Sequence, residues 1–434
     1  MFTRGRYLVV DDEPDELDPL VKALHRMGAP CIGWHWTPEQ RPGPEQLRGV
    51  RILFTDLHLT KGEVPPVTHY DTIIRMLEDG VSDAHGPYIV VLWTSHEEQR
   101  GAFVERLGRA LDPVKHPLAV LGLDKNAYRD GPEFTKLGDL ERDIAQHLGG
   151  NAQLQALLSW EHDVLAAADA TLAQLAQLVP AASRTMAAFP DALGVVLGKL
   201  SIAALGKTNA PADPRGGVSR ALAPLLMDRI ANQNDDPDKT TLWSGAVCFP
   251  ETPLALSADE CARMNRMIHC AFPPAEAVVK SDWGAVIRLG GVDDAILTSI
   301  WGEGAATLKL DAFRLKAEGN DTCELVAVRV GAVCDYAQGK PGPVPYVLGV
   351  LTPVKPAYDG KSSPAEYETP LLKLTDAGAI EKLMINARFV ATLTTPELAD
   401  LPDAAFRMRE QLLTALIGHV SGYVVRPGFL SFRP

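Results

Sequence analysis

Two adjacent aspartates, Asp11 and Asp12, follow the apolar run of "RYLVVDD", and three further apolar runs also end on a side chain able to do chemistry. Asp56 closes "RILFTD", Thr94 closes "YIVVLWT", and Lys125 follows "PLAVLGLD". Carboxylates grouped in this way suit a hard cation such as Mg2+, which takes oxygen ligands in octahedral geometry and usually one or two carboxylates, water and a phosphate oxygen. Asp12 and Asp56 can bind it together, with Asp11 beside them or acting through water. Asp56 is also a candidate carboxylate nucleophile that becomes an acyl phosphate. The metal and the Lys125 ammonium would neutralise charge on the transferring group, and the Thr94 hydroxyl would hydrogen-bond one of its oxygens. The competing reading is an acidic surface loop. Glu13, Asp15 and Glu16 read as charges of a first helical turn, where the helix dipole favours them.

These residues need a sheet to bring them together. Residues 1–132 alternate short β-branched runs with helical stretches such as "LDPLVKALHRMG", "VTHYDTIIRMLEDG" and "HEEQRGAFVERLGRAL", the sign of a βα repeat and a parallel sheet. With a further strand in "PCIGWHW" this predicts five strands in a doubly wound domain. Ligands of such sheets bind outside the carboxyl ends of the strands, where the strand order reverses.

The order Asp-Asp, Asp, Thr, Lys resembles the receiver domain of bacterial two-component response regulators, over roughly residues 5–130. The resemblance implies a flavodoxin-like fold and phosphotransfer from a histidine kinase to Asp56. It also implies Asp11, Asp12 and Asp56 as the Mg2+ site and Thr94 and Lys125 as the switch pair, and it puts His58 where the family tunes acyl-phosphate hydrolysis, against the plainer reading of a solvent-facing loop histidine. Three departures stand out. Spacings of 38 residues from Asp56 to Thr94 and 31 from Thr94 to Lys125 imply extra loops, in "TKGEVPPVTH" and "DPVKHP". Asn126 follows Lys125 where the family usually has proline, and Gly122 stands where it has a switch aromatic. The usual threonine-to-aromatic relay is therefore expected to be missing. The run "GPYIVVLWTSHEEQ" is similar to a divergent receiver group associated with bacterial conflict and phage-defence operons, in which a receiver protein can act as a phosphate sink.

The remainder predicts a multidomain chain. Residues 133–235 carry apolar residues at three-and-four spacing, a helical domain, and "NQNDDPDKTT" at 232–241 reads as a linker. Residues 236–434 hold Gly- and Pro-punctuated strand-like runs, predicting a β-rich, small barrel-like domain with a helix over about 402–420 and an apolar tail, "GYVVRPGFLSF". The 434 residues carry a net charge of -13 and show no basic patch, so nucleic acid is an unlikely partner and a transcription factor a poor fit. No signal-peptide pattern and no stretch of about 18 uninterrupted apolar residues is present, which predicts a cytoplasmic chain without a membrane span. Six scattered cysteines without a CxxC pair fit a reducing compartment.

Other stretches read less sharply. "LGKTN" at 205–209 has Ser201 where a phosphate loop needs glycine. "RMIHC" lacks the paired ligands of a zinc site. "VCDYAQGK" offers Cys334 and Asp335 as a candidate thiol site, against the plainer reading of a strand end and turn. The expected partners are a histidine kinase and an effector protein, with a homodimer also open. Beside output signalling stand a passive phosphate sink, a receiver-gated hydrolase or nuclease-like effector, and a degenerate receiver used only for docking.

Overall fold

The computed structural model describes residues 6–426 apart from 61, 63, 84, 132, 234–235, 250–255, 316–321, 341, 354–362 and 376. Most of the apolar tail and the middle of the 232–241 break lie outside the described residues. By their contacts the residues form two compact units. One is Met1–Asp169 with Arg229–Phe249, and the other is Ala170–Asp228 with Pro250–Pro434.

The first unit is built on five parallel strands: β1 (Tyr7–Asp11), β2 (Cys31–His35), β3 (Ile52–Thr55), β4 (Ile89–Thr94) and β5 (Ala119–Asp124). Their order is β2-β1-β3-β4-β5, the flavodoxin-like arrangement, which reverses direction between β1 and β3. Every residue of β3 and β4 is buried, which is why these strands read as continuous apolar runs rather than alternating ones. On one face Leu8, Val10, Leu53, Val90 and Leu92 meet the helices Pro66–Gly80 and Arg100–Ala110 through Tyr70, Ile73, Leu77, Phe103 and Leu107. On the other, Val9, Phe54, Val91 and Trp93 meet helix α1 (Pro14–Arg26) and the helix Leu137–Gly149. α1 begins directly after β1, with Pro14 at its start and Asp15 and Glu16 in its first turn. After β5 a two-stranded hairpin, β6 (Arg129–Asp130) with β7 (Glu133–Phe134), precedes the helix Leu137–Gly149.

The long helices Ala152–Gln177, Phe189–Asn209 and Pro214–Ala231 follow. Among the described residues Phe189–Asn209 is the one helix long and apolar enough to cross a membrane by length and composition, and 17% of its apolar window is buried.

The second unit contains an antiparallel sheet in the order β12-β13-β11-β10-β9-β14-β8. Its strands are β8 (Cys270–Ala271), β9 (Ala285–Arg288), β10 (Glu324–Arg329), β11 (Val344–Pro353), β12 (Glu366–Glu368), β13 (Glu381–Leu393) and β14 (Ala404–Met408). Among the described residues the sheet is open, with β12 and β8 as its edges, rather than a closed barrel. One face packs on the helices Asp294–Trp301 and Ala305–Phe313, the other on the helix Glu410–Val424.

The helix expected over 402–420 is corrected here. Residues 404–408, "AAFRM", form β14, with Ala404, Phe406 and Met408 buried in alternation, and the helix starts only at Glu410. Period-two burial along five residues marks a strand, and the apolar density that continues into the helix concealed it.

Candidate functional site

The crevice between β1 and β3 is where this sheet topology places ligands. Asp11 ends β1, Asp12 follows it, and Asp56 follows β3, its amide donating 3.0 Å to the Val10 carbonyl and tying the two strand ends together. One carboxylate oxygen from each of Asp11, Asp12 and Asp56 lies within 4.8 Å of the other two. All three residues are buried, Asp11 completely. Backbone amides orient two of them: Glu13 donates 2.9 Å to Asp11 Oδ1, and Leu57 donates 2.7 Å to Asp56 Oδ1. A cavity of about 320 Å³ opens beside Asp12, lined by His35, Trp36, Thr37, Leu59 and Thr60.

Lys125 enters this cluster from the end of β5 and is 1% exposed. Its Nζ lies 2.8 Å from Asp11 Oδ2 and 3.2 Å from Asp56 Oδ2, and it also contacts Glu16. Glu16 in turn pairs with Arg129 on β6. As an acid in the first turn of α1, Glu16 has the ordinary place of a dipole-favoured charge. The turn is where it sits, yet its carboxylate belongs to the site.

The electrostatics show a site short of positive charge. Burial pushes the Asp11 carboxyl up to about 7, with the Asp56 charge adding and Lys125 opposing. Asp12 is raised by burial and then by Asp56. Burial would lower the Lys125 ammonium, but the carboxylates of Asp56, Asp11 and Glu16 together hold it above its ordinary value. Glu16 is lowered, because Lys125 and Arg129 outweigh the cost of its burial. Three buried carboxylates with their oxygens this close form an all-oxygen donor set that can hold a metal ion.

Thr94 ends β4 fully buried, and its Oγ1 accepts from the His96 amide at 3.2 Å. The His58 ring is stacked between His69 and His96, with ring centres 4.0 Å away on each side. His58 Nε2 lies 3.0 Å from Gln99 Oε1, which also accepts from the Tyr70 hydroxyl at 3.2 Å. An amide oxygen only accepts, so His58 donates through Nε2, and in its neutral form Nδ1 carries the lone pair.

Two departures from the receiver pattern acquire physical reasons. A Cβ on Gly122 would stand 2.8 Å from Glu97 Oε1 and 3.2 Å from Arg100 Cδ, and these two side chains form an ion pair at 2.8 Å. That ion pair takes the space a larger side chain at 122 would need. The Asn126 amide donates 2.9 Å to Asp124 Oδ1, closing a turn with a hydrogen bond that proline could not make.

The other singled-out stretches do not join this cluster. "LGKTN" ends the helix Phe189–Asn209, where Gly206 makes a kink at φ 78°, so the segment is entered from a helix and not from a strand. Buried Ser201 faces Gly217, whose absent Cβ would stand 2.1 Å from the Ser201 Oγ, so this is a close helix crossing and not a phosphate loop. Cys334 lies on a one-turn helix, Val333–Ala337, beyond the end of β10 at Arg329. Its thiol is exposed, 3.6 Å from the Asp335 carboxylate, and lines a cleft of about 910 Å³ with Arg220, Asp282, Trp283, Tyr336 and Arg407. His269 ends a helix, Cys270 is buried in β8, and among the described residues the Asp11, Asp12, Asp56 set is the one group with metal-binding spacing. No family model matches this chain, and none of the curated proteins is significantly similar to it.

Proposed function

We propose that this chain is a phosphoacceptor of the receiver type, in which Asp56 takes a phosphoryl group from a histidine kinase and passes the change to an output or partner surface. The observation that supports it is the buried Asp11, Asp12 and Asp56 cluster joined by Lys125 at the switch point of a flavodoxin-like sheet. Asp11, Asp12 and Asp56 would hold Mg2+, which when bound neutralises charge on the phosphoryl oxygens.

In the transfer an Asp56 carboxylate oxygen attacks phosphorus, the new P–O bond forms, and the P–N bond to the donor imidazole breaks with its electron pair leaving on nitrogen. In the metal-free chain Leu57 N–H and Lys125 hold the two carboxylate oxygens of Asp56. Lys125 and Thr94 supply donors to the developing charge. The test is incubation with Mg2+ and acetyl phosphate, or with a cognate kinase, read by intact mass. The wild-type chain gains one phosphate and Asp56→Asn gains none; no gain with any donor removes the reading. In cells, Asp56→Asn silences the pathway if the chain drives output and makes it hyperactive if the chain is a phosphate sink.

A further inference from the structure

An ammonium has three donors, and Lys125 meets three carboxylates: Asp11, Asp56 and Glu16. They are not equivalent. Asp11 and Asp56 belong to the cluster a cation would occupy. Glu16 stands outside it on the first turn of α1, 22% exposed, with Arg129 on its other oxygen. Its backbone is pinned by the Trp93 indole, which donates 3.1 Å to the Glu16 carbonyl, and Arg129 is itself seated 4.3 Å over the Phe134 ring.

A divalent cation held by Asp11, Asp12 and Asp56 competes for those oxygens with the ammonium, because like charges at that separation in a buried site repel strongly. Lys125 is 1% exposed and cannot simply turn to water. We propose that Glu16 is a positioning residue that serves as the berth for Lys125: when the cluster takes a divalent cation, the ammonium leaves Asp11 and rests on Glu16, whose carboxylate Arg129 keeps in place. The inference rests on the cation-site part of the reading above and not on phosphoryl transfer.

The full-length chain, its Glu16→Gln and Lys125→Met variants and the double variant are titrated with MgCl2 by calorimetry, with circular dichroism melts as the check of folding. Glu16→Gln is expected to bind Mg2+ about tenfold more weakly and Lys125→Met more tightly, since the competing ammonium is gone. In the Lys125→Met background the Glu16→Gln loss should shrink to less than about twofold, because no ammonium needs a berth. An equal loss in both backgrounds means that Glu16 acts only through its own field, and it overturns the berth, as does an unchanged affinity in Glu16→Gln. If Glu16→Gln fails to fold, Glu16→Asp is read in the same cycle. A wild-type chain that takes up no Mg2+ removes the cation site and the berth together, whatever Asp56 does with phosphodonors.

Discussion

Asp11 and Asp12, both raised by burial, give the cluster a pH dependence, and Asp11 carries the larger part. The Asp11 carboxyl, raised by burial to about 7, takes a proton in the range where an ordinary aspartate has long been ionised. A metal needs the ionised form, so protons compete with it below about pH 7. Mg2+ affinity is expected to fall as pH is lowered from about 8 to about 6, with proton release on binding seen as a dependence of calorimetric heat on buffer. A flat affinity across that range contradicts it. In the metal-free chain the sign runs the other way: a raised carboxyl contributes stability below its unfolded value that is lost as pH rises through about 7. Asp11, Asp12, Asp56, Thr94 and Lys125 were legible because each ends or follows an apolar run that a parallel sheet must bury. Glu16 was not, since an acid in a first helical turn has an ordinary reason to be there and its partner Lys125 lies 109 residues away.

Elements decide what can surround the site. The glycine at 122 is visible in the sequence, but the ion pair of Glu97 with Arg100 that fills the space beside it depends on how the start of one helix meets β5. Gly122→Ala should cost little, because the atoms it crowds, Glu97 Oε1 and Cγ and Arg100 Cδ, belong to two flexible, part-exposed side chains that can shift together. Gly122→Phe has to displace Glu97 and Arg100 and should cost about 1–3 kcal/mol in urea unfolding, the usual range for overpacking. Equal or greater stability in Gly122→Phe would show that the space is open. The strand–helix boundary at Arg409 was illegible for a related reason. "AAFRM" and "EQLLTALIGHV" share one apolar density, and only β14's placement between β9 and β8 makes period two the relevant one.

At the scale of the molecule, the change of pattern near 133 marks where βα alternation stops, but not where packing on the sheet stops. Leu140, Ile144, Leu148 and Leu154 are buried in the same cluster as Val9, Phe54 and Trp93. Arg51 reaches further along the chain, with Nε and Nη2 at 3.1 and 2.8 Å from Glu161 Oε1. Each of those four side chains contributes about 1.5–3 kcal/mol by its burial. Their sum is comparable to the about 5–15 kcal/mol by which a whole domain is stable. A fragment ending at 132 is therefore expected to lack a cooperative thermal transition and a near-UV circular dichroism signal. One ending at 169 should show both, because it keeps the helix Leu137–Gly149, Leu154 and Glu161. The segment 229–249 adds mainly surface contacts to this unit, such as Lys239 with Asp163 and Gln153 with the Ala246 carbonyl, so its omission should lower the midpoint without abolishing the transition. If the two fragments unfold at the same temperature and equally sharply, the five-stranded sheet is self-sufficient, and the apolar face on α1 and Trp93 does not need these helices to close it.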